Sequence, residues 1–174
     1  RKDASETIKK WLKKGKMVGW ADTEDVESIN FVRDLYRRGV VVASIPEGKP
    51  GLMAMEINKT KAKVKPVIED GRLRLDISIK AWGEYDEQVG VPGNVHVDKK
   101  FIDKSEKQFA RVIEEQCYRT IRKMQKEFKA DVFQFNRILR AREPAYWDEI
   151  KEKWDNTIFP KLEINLNVEV KIKL

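Results

Sequence analysis

The side chains best suited to covalent chemistry are the single cysteine, Cys117, and the single histidine, His96. Nucleophilic catalysis needs an activating base beside the nucleophile and a third group that orients the base. His96 lies in a predicted loop, whereas Cys117 lies on the apolar face of a predicted helix. A buried structural thiol is therefore the favoured interpretation of Cys117. A lone histidine and a lone cysteine also fall short of the ligands that a zinc site needs.

Acidic residues are numerous, but their spacing indicates no catalytic pair. The adjacent residues Glu114 and Glu115 would point to different faces of a helix, and the glycines form no P-loop or dinucleotide-binding pattern. We therefore predict that the protein is not an enzyme. We predict no catalytic residue, no metal site and no cofactor, and the sequence assigns no binding residue.

Four lysines occupy every second position of a predicted strand, where period two places all four ammonium groups on one side; they are Lys59, Lys61, Lys63 and Lys65. Such a strip would face anions or lipid headgroups. The alternative, which we favour, is a solvated sheet face whose lysines discourage edge pairing. Trp82 and Tyr85, at the start of a long predicted loop, form a second candidate contact surface.

The formal charge of +7 is concentrated at the N-terminus, where the first 17 residues contain seven lysines and arginines against two acidic residues. Because none of the sequence signatures of DNA- or RNA-binding modules is present, we predict no nucleic-acid partner. Two interpretations of this basic segment remain open. It is either a solubilising surface or an edge that binds an acidic partner or anionic lipid headgroups.

The length of 174 residues is close to that of one common domain, and it suffices to bury a core without disulfides. We predict a single domain over residues 1–174, excised from a longer protein. No stretch approaches the ~20 apolar residues of a membrane span. We therefore expect any membrane attachment of the intact protein to lie outside this chain.

The first part of the chain predicts a hairpin, a helix and a buried strand. Glu6 to Ala21 predicts two short strands around a lysine-rich turn. Thr23 is the predicted N-cap of a helix that ends with Arg38, before Gly39. Val40 to Ile45 is a continuous apolar run, which predicts a strand buried on both faces.

A second hairpin is predicted from a long extended segment, Leu52 to Ile68, that turns at Asp70-Gly71. One register keeps apolar residues opposite apolar residues, as a one-sided sheet requires. It pairs Glu69 with Arg72, Ile68 with Leu73, Lys65 with Asp76, Val64 with Ile77, and Ala62 with Ile79.

A predicted loop from Tyr85 to Lys100 separates the strands from the helices, and loops of this length tend to be functional or mobile. Ser105 and Gln108 form a capping-box pattern, which predicts a helix from Glu106 to Phe128 about 35 Å long. Its predicted inward face carries Phe109, Val112, Ile113, Cys117, Ile121, Met124 and Phe128.

In the last part, Asp131 is the predicted cap of a short helix and Pro144 the first residue of another. From Leu162 to Leu174 apolar and polar residues alternate without a break, which predicts a strand with one buried face. Because the strands are mostly consecutive, we predict an α+β fold. It would be an antiparallel-dominated mixed β-sheet with helices packed on one face and a long central helix.

A series of short motifs runs along nearly the whole chain. They are Lys14 to Trp20, Lys63 to Pro66, the strand after Gly71, the long helix, Lys129 to Phe135, Pro144 with Trp147, and Trp154 with Phe159. In this order the segments resemble the C-terminal domain of the Ger(x)C family, the C subunits of spore germinant receptors. The chain departs from the family pattern at Trp11-Leu12 and at Ala21.

The resemblance implies a lipoprotein that an upstream cysteine tethers to the outer face of the spore inner membrane. It implies integral-membrane A and B subunits as partners, other germination lipoproteins as further candidates, and a role in nutrient-triggered germination. We accordingly expect a non-catalytic interaction domain. The alternatives are a basic module that binds polyanions or membrane surfaces, and a small-molecule sensor under the Tyr85 to Lys100 loop, which no convergent polar groups support.

Overall fold

The main feature of the computed structural model is a four-stranded sheet backed by helices. The structure describes the backbone of residues 9–13, 16–90 and 97–173. It describes the side chains of these residues from 21 onward, except those of 87 and 88. In chain order the elements are β1 (Lys9–Lys13), β2 (Lys16–Ala21), α1 (Thr23–Val32), β3 (Gly39–Ser44), β4 (Leu52–Glu69), β5 (Arg72–Val89), α2 (Lys99–Lys123), α3 (Phe135–Arg142), α4 (Pro144–Ile150) and β6 (Glu163–Lys173).

The order and directions of the strands confirm the predicted fold class. The main sheet runs β3-β4-β5-β6, with the first two pairs antiparallel and β6 parallel to β5. A parallel pair requires a long crossover, and here the three helices α2, α3 and α4 supply it. The strands β1 and β2 pair separately, which confirms the predicted hairpin for the described residues, whereas its turn at positions 14 and 15 lies outside them.

The long hairpin of β4 and β5 has the predicted register, and all five predicted pairs are present. Bulges at Met53/Met55 and Ile57/Lys59 interrupt the ladder. Gly83 lies opposite Ile57, where a Cβ atom would stand 2.4 Å from the carbonyl oxygen of Glu56. Only glycine fits there without displacing backbone, so this residue fixes the close approach of the two strands.

The prediction for α1 is wrong at both ends. The N-cap is Asp22 rather than Thr23, and its Oδ1 accepts the Asp25 N–H at 2.8 Å while the Asp25 carboxylate accepts the Asp22 N–H. The helix ends at Val32, six residues before Arg38, and Asp34 then adopts a left-handed φ of 60°. The Asp34 carboxylate accepts hydrogen bonds from β4, so a tertiary contact stops the helix.

The start of α2 is also corrected, because the helix begins at Lys99 with Asp98 as N-cap. The Asp98 carboxylate accepts the Phe101 N–H at 2.7 Å. Ser105 lies inside the helix, fully buried, and donates its hydroxyl to the Phe101 carbonyl. Much of the predicted loop is therefore regular structure, since β5 extends to Val89; positions 91–96 lie outside the described residues.

The core lies between α2 and the inner face of the sheet, and five of the seven predicted inward residues of the long helix are fully buried. Val112 and Phe128 are half-buried. A π-helical turn from Met124 to Phe128 extends the helix, and Lys129 ends it in the left-handed conformation. The buried partners on β5 and β6 are Leu75, Ile77, Ile79, Ala81, Leu166, Val168 and Val170.

The segment predicted as a buried strand, Val40 to Ile45, is instead the edge strand β3. Its burial alternates, so Val41 and Ala43 face the core while Val40 and Val42 face outward. Of the later elements, α4 begins at Pro144 as predicted, and the alternating C-terminal run forms β6 from Glu163. The prediction for α3 is wrong at its start, because the helix begins at Phe135, four residues after Asp131.

The outer edge of β6 is held by two side chains of α2. The Tyr118 hydroxyl accepts the Leu166 N–H at 2.9 Å, and Glu106 Oε1 accepts the Ile172 N–H at 2.9 Å. A free strand edge would present these groups to other chains. The long helix therefore buries the sheet and also bonds the edge of β6 at two points.

We predict that Tyr118→Phe lowers the free energy of unfolding by about 1–2 kcal/mol, because it leaves the Leu166 N–H without its acceptor. Urea denaturation would measure this, and hydrogen exchange at the Leu166 amide should accelerate. Tyr146→Phe is the matched control, because that hydroxyl bonds no residue in the described part of the chain. An equal effect of both substitutions would contradict the role of Tyr118.

Candidate interaction surface

Cys117 lies fully buried on the inner face of α2, as the sequence predicted. Burial raises the pKa of its thiol to about 12, an effect that the nearby Ser28 hydroxyl only partly offsets. A thiol of this kind is almost wholly protonated at neutral pH, and the thiolate is the nucleophilic form. Cys117 is therefore a packing residue, and His96, the other candidate, lies outside the described residues.

The carboxylates of the described residues likewise form no metal-binding cluster. In the part of the chain that the structure describes, no three histidine, cysteine, aspartate or glutamate residues lie close enough to hold a metal ion. The most buried one, Asp25, is 4% exposed and accepts hydrogen bonds from Thr120 Oγ1 at 3.1 Å and Lys123 Nζ at 2.5 Å. This carboxylate joins α1 to α2, so its role is structural.

Asp131 is a second enclosed carboxylate, and it organises the segment that leads into α3. Its oxygens accept the N–H groups of Phe135 at 3.0 Å and Asn136 at 2.8 Å, and the indole Nε1–H of Trp154 at 3.2 Å. Asp131 therefore bonds the first N–H groups of α3 as predicted, but the helix begins only at Phe135, with Gln134 at the N-cap position. Part of Asp131 reaches solvent, but the carboxylate is packed beneath these donors. Burial, aided by the negative charge of Asp155, raises its pKa to about 6.

The lysine strip lies on the exposed face of β4, opposite Trp82, Lys80, Ser78 and Asp76 of β5. Lys61 Nζ is 2.8 Å from Asp34 Oδ2, and Lys59 Nζ is 5.2 Å from the centre of the Trp82 ring. Lys65 faces Asp76 across the ladder. Lys61 and Lys59 thus have intramolecular partners, and Lys65 lies opposite an acidic residue, which favours the solvated-face interpretation.

Trp82 and Tyr85 do not form one contact surface. Trp82 lies half-exposed on the outer face beside Lys59. Tyr85 pairs with Met55 and turns inward, where its ring meets Phe101 edge to face with centroids 6.0 Å apart. The two side chains are three positions apart, so the alternation of the strand separates them.

An exposed apolar surface lies on the outer face of the sheet, at the end where β3, β4 and β5 meet. We call it the edge patch, and it consists of Val40, Val42, Leu52 and Val89, which are 54%, 49%, 49% and 57% exposed. Leu52 pairs with Val89 on one side and with Ser44 on the other, so the members are neighbours. The sequence did not reveal this surface, because the apolar run from Val40 to Ile45 predicted a buried strand.

A family model described as Spore germination B3/GerAC like, C-terminal, matches residues 11–174. The chain belongs to this family. The resemblance identified from the sequence is thereby confirmed, and the family is that of the C subunits of spore germinant receptors. The match extends from β1 to the last residue and so includes the sheet, all four helices and the edge patch.

Two curated relatives come from Bacillus subtilis (strain 168). Spore germination protein B3 is 29% identical over 163 residues, which cover 92% of this chain and 42% of that protein. Spore germination protein YndF is 28% identical over 160 residues, which cover 92% and 39%. The chain thus spans less than half the length of these relatives.

The solved structure described as "Crystal Structure of the GerBC protein" has the same fold. It superposes with a TM-score of 0.81 at 27% sequence identity, over 92% of this chain and 48% of that one. Among the described residues, no helix combines the length and the apolar character needed to cross a membrane.

We predict that Cys117 stays unmodified by a thiol reagent while the protein is folded, because its thiol is buried and protonated at neutral pH. In a native buffer, labelling should proceed only at the rate of unfolding, and full labelling should follow in denaturant. Rapid modification of the folded protein would contradict the packing role.

We predict that wild-type protein loses stability relative to Asp131→Asn as the pH rises from about 4 to about 7. The pKa of Asp131 is raised to about 6 in the folded state, above its ordinary value of 3.8. Its stabilising contribution is therefore complete below pH ~4 and is lost as the pH rises through 6, by about 3 kcal/mol. Urea denaturation at a series of pH values measures the difference.

The control for this titration is Asp148→Asn, which removes an exposed carboxylate paired only with Lys151. Its stability difference from wild type should show no step between pH 4 and 7. A flat difference for Asp131→Asn, or one that changes in the opposite direction, would contradict the assignment.

Proposed function

We propose that this chain is a non-catalytic interaction domain of a spore germinant receptor lipoprotein C subunit, needed for nutrient-triggered germination. The observation that carries the proposal is the family match over residues 11–174. The likeness to the GerBC structure over 92% of the chain supports it. We propose further that residues 1–174 form one domain of a longer protein, since the relatives are more than twice as long as the matched part.

The non-catalytic part of the proposal is supported by the reactive groups of the described residues, which are enclosed or already hydrogen-bonded. Cys117 is enclosed in the core, and the buried carboxylates of Asp25 and Asp131 are occupied by N–H, hydroxyl and ammonium donors. Catalytic groups need access to a substrate and a matched proton donor or acceptor. Within the described part of the chain these groups instead hold elements together, so its surface would carry out the function.

The partners we propose are the integral-membrane A and B subunits of the receptor, with other germination lipoproteins as further candidates. A lipid anchor upstream of this chain would hold the domain at the outer face of the spore inner membrane. The lysine strip does not favour the alternative role in polyanion or membrane-surface binding, because Lys59 and Lys61 have intramolecular partners and Lys65 lies opposite an acidic residue. Nucleic acid is not among the proposed partners.

The proposal predicts that spores whose receptor lacks this domain lose the response to one set of nutrients and keep their response to a nutrient-independent trigger. The measurement is germination of spores of the encoding bacterium against a panel of nutrients. Spores that carry Cys117→Ala are the matched control and should germinate normally, because the thiol serves only packing.

Two results would overturn the proposal. Spores without the domain that still germinate with every nutrient would show that the domain is dispensable. Loss of germination in Cys117→Ala spores that contain normal amounts of folded protein would show that the thiol has a chemical role.

A further inference from the structure

A cavity of about 470 Å³ opens to solvent where α3 and α4 meet. Small-molecule sites are usually clefts of roughly 300–1,000 Å³, so this volume suits a small ligand. One wall follows a single face of α4, because positions three or four residues apart are neighbours on a helix. The lining residues are Arg140 of α3, Pro144, Trp147 and Asp148 of α4, and Lys151, which directly follows α4.

Trp147 gives the cavity an aromatic surface whose orientation is fixed from behind. Its ring meets the ring of Trp154 edge to face, with centroids 5.6 Å apart and an angle of 68° between the planes. Trp154 is only 2% exposed, and its indole N–H donates to Asp131, which anchors it to the segment before α3. Trp147 itself is half-buried. A partly exposed ring held in one orientation is a prepared surface on which a second flat ring can stack.

The charges around this ring favour an anion. Arg140 is exposed, and no acidic side chain in the described part of the chain bonds its guanidinium. Lys151 Nζ lies 2.9 Å from Asp148 Oδ1, so these two charges largely compensate each other. The lining therefore has two cations against one carboxylate, and the uncompensated group is the guanidinium. A guanidinium binds a carboxylate through two parallel hydrogen bonds, which fix the orientation of the ligand.

We propose that the cavity between α3 and α4 binds a small aromatic carboxylate. The ring of the ligand would stack on Trp147 and pack against Pro144, while its carboxylate would accept hydrogen bonds from Arg140. The negative charge of Asp148 would oppose the bound carboxylate, and Lys151 would reduce this repulsion. An anion without a ring would leave the indole surface uncovered, and a neutral ring would leave the guanidinium without a partner. Both halves of the ligand are therefore needed.

The inference goes beyond the proposed role in germination and does not depend on it. Binding of this kind makes and breaks no covalent bond, so it is compatible with a non-catalytic domain. The site is also separate from the lysine strip and from the edge patch, because its lining comes only from the helical segment between β5 and β6.

The first test uses phenylacetate as the probe and follows the indole N–H signals of the 174-residue chain by two-dimensional NMR. The Trp147 signal is the one lost in Trp147→Phe. We expect it to shift saturably with a Kd of about 1 mM or below, while the signal of Trp82, on the outer sheet face, stays in place. Phenylacetamide, which is uncharged, and cyclohexylacetate, which has no flat ring, should each bind at least ~10-fold more weakly.

The second test changes exposed charges, so the fold should persist, as the remaining NMR signals would verify. Arg140→Gln should raise the Kd for phenylacetate at least ~10-fold, because it removes the bidentate donor. Arg142→Gln is the matched control, since it removes the same charge from the same helix at a position outside the cavity lining. Its Kd should stay within about 2-fold of the wild type.

A third variant should gain affinity, which a damaged fold could not produce. Asp148→Asn removes the opposing carboxylate and frees Lys151. The Kd for phenylacetate should therefore fall by about 3-fold or more.

A Trp147 signal that does not move with phenylacetate up to about 20 mM would overturn the proposal. Binding of either analogue as tight as that of phenylacetate would do the same, since one half of the ligand would then suffice. So would an equal loss of affinity in Arg140→Gln and Arg142→Gln, because only the net charge of the protein would then matter. A higher Kd in Asp148→Asn would also contradict the proposed place of the carboxylate.

Discussion

Burial of one face of α2 against the sheet is the interaction on which the rest of the structure depends. Its apolar residues share one core with the inner face of the sheet, and the helix contacts β6 and β3; at roughly 25 cal/mol for each Å² of buried apolar surface this layer is the main source of stability. Polar side chains of the same helix and its π turn fix the neighbours. Thr120 and Lys123 hold α1 through Asp25, and the Gln125 amide donates to the Phe159 and Leu162 carbonyls before β6.

This arrangement gives the reactive groups of the described residues structural roles. The long helix takes the only thiol into the core, and the buried carboxylates bond N–H, hydroxyl and ammonium donors of neighbouring elements. The interaction role that we propose would therefore depend on the shape and polarity of the surface. That surface is asymmetric, since charged pairs cover most of the outer sheet face and apolar residues gather at the β3 end.

Patterns that depend on near neighbours were predicted well from the sequence. The Asp70-Gly71 turn fixes the register of β4 and β5. The alternation of apolar and polar residues in β6 predicts a strand with one buried face, whichever strand it pairs with. The errors occur where distant contacts decide. Asp34 ends α1 by bonding β4, and burial draws Ser105 into α2 although its type favours a cap. Likewise, the apolar run of β3 cannot reveal an edge position, because strand order is a property of the whole sheet.

The parallel placement of β6 has a consequence for how the chain reaches its native state. Glu163 lies beside Arg74, a separation of 89 positions, whereas β3, β4 and β5 join through short turns. Because closing such a distance costs chain entropy before any contact repays it, high contact order slows folding. A nascent chain would form the three-stranded meander before β6 pairs with β5. Until that pairing forms, the edge of β5 would be exposed to other chains, so the distant strand β6 also protects the sheet.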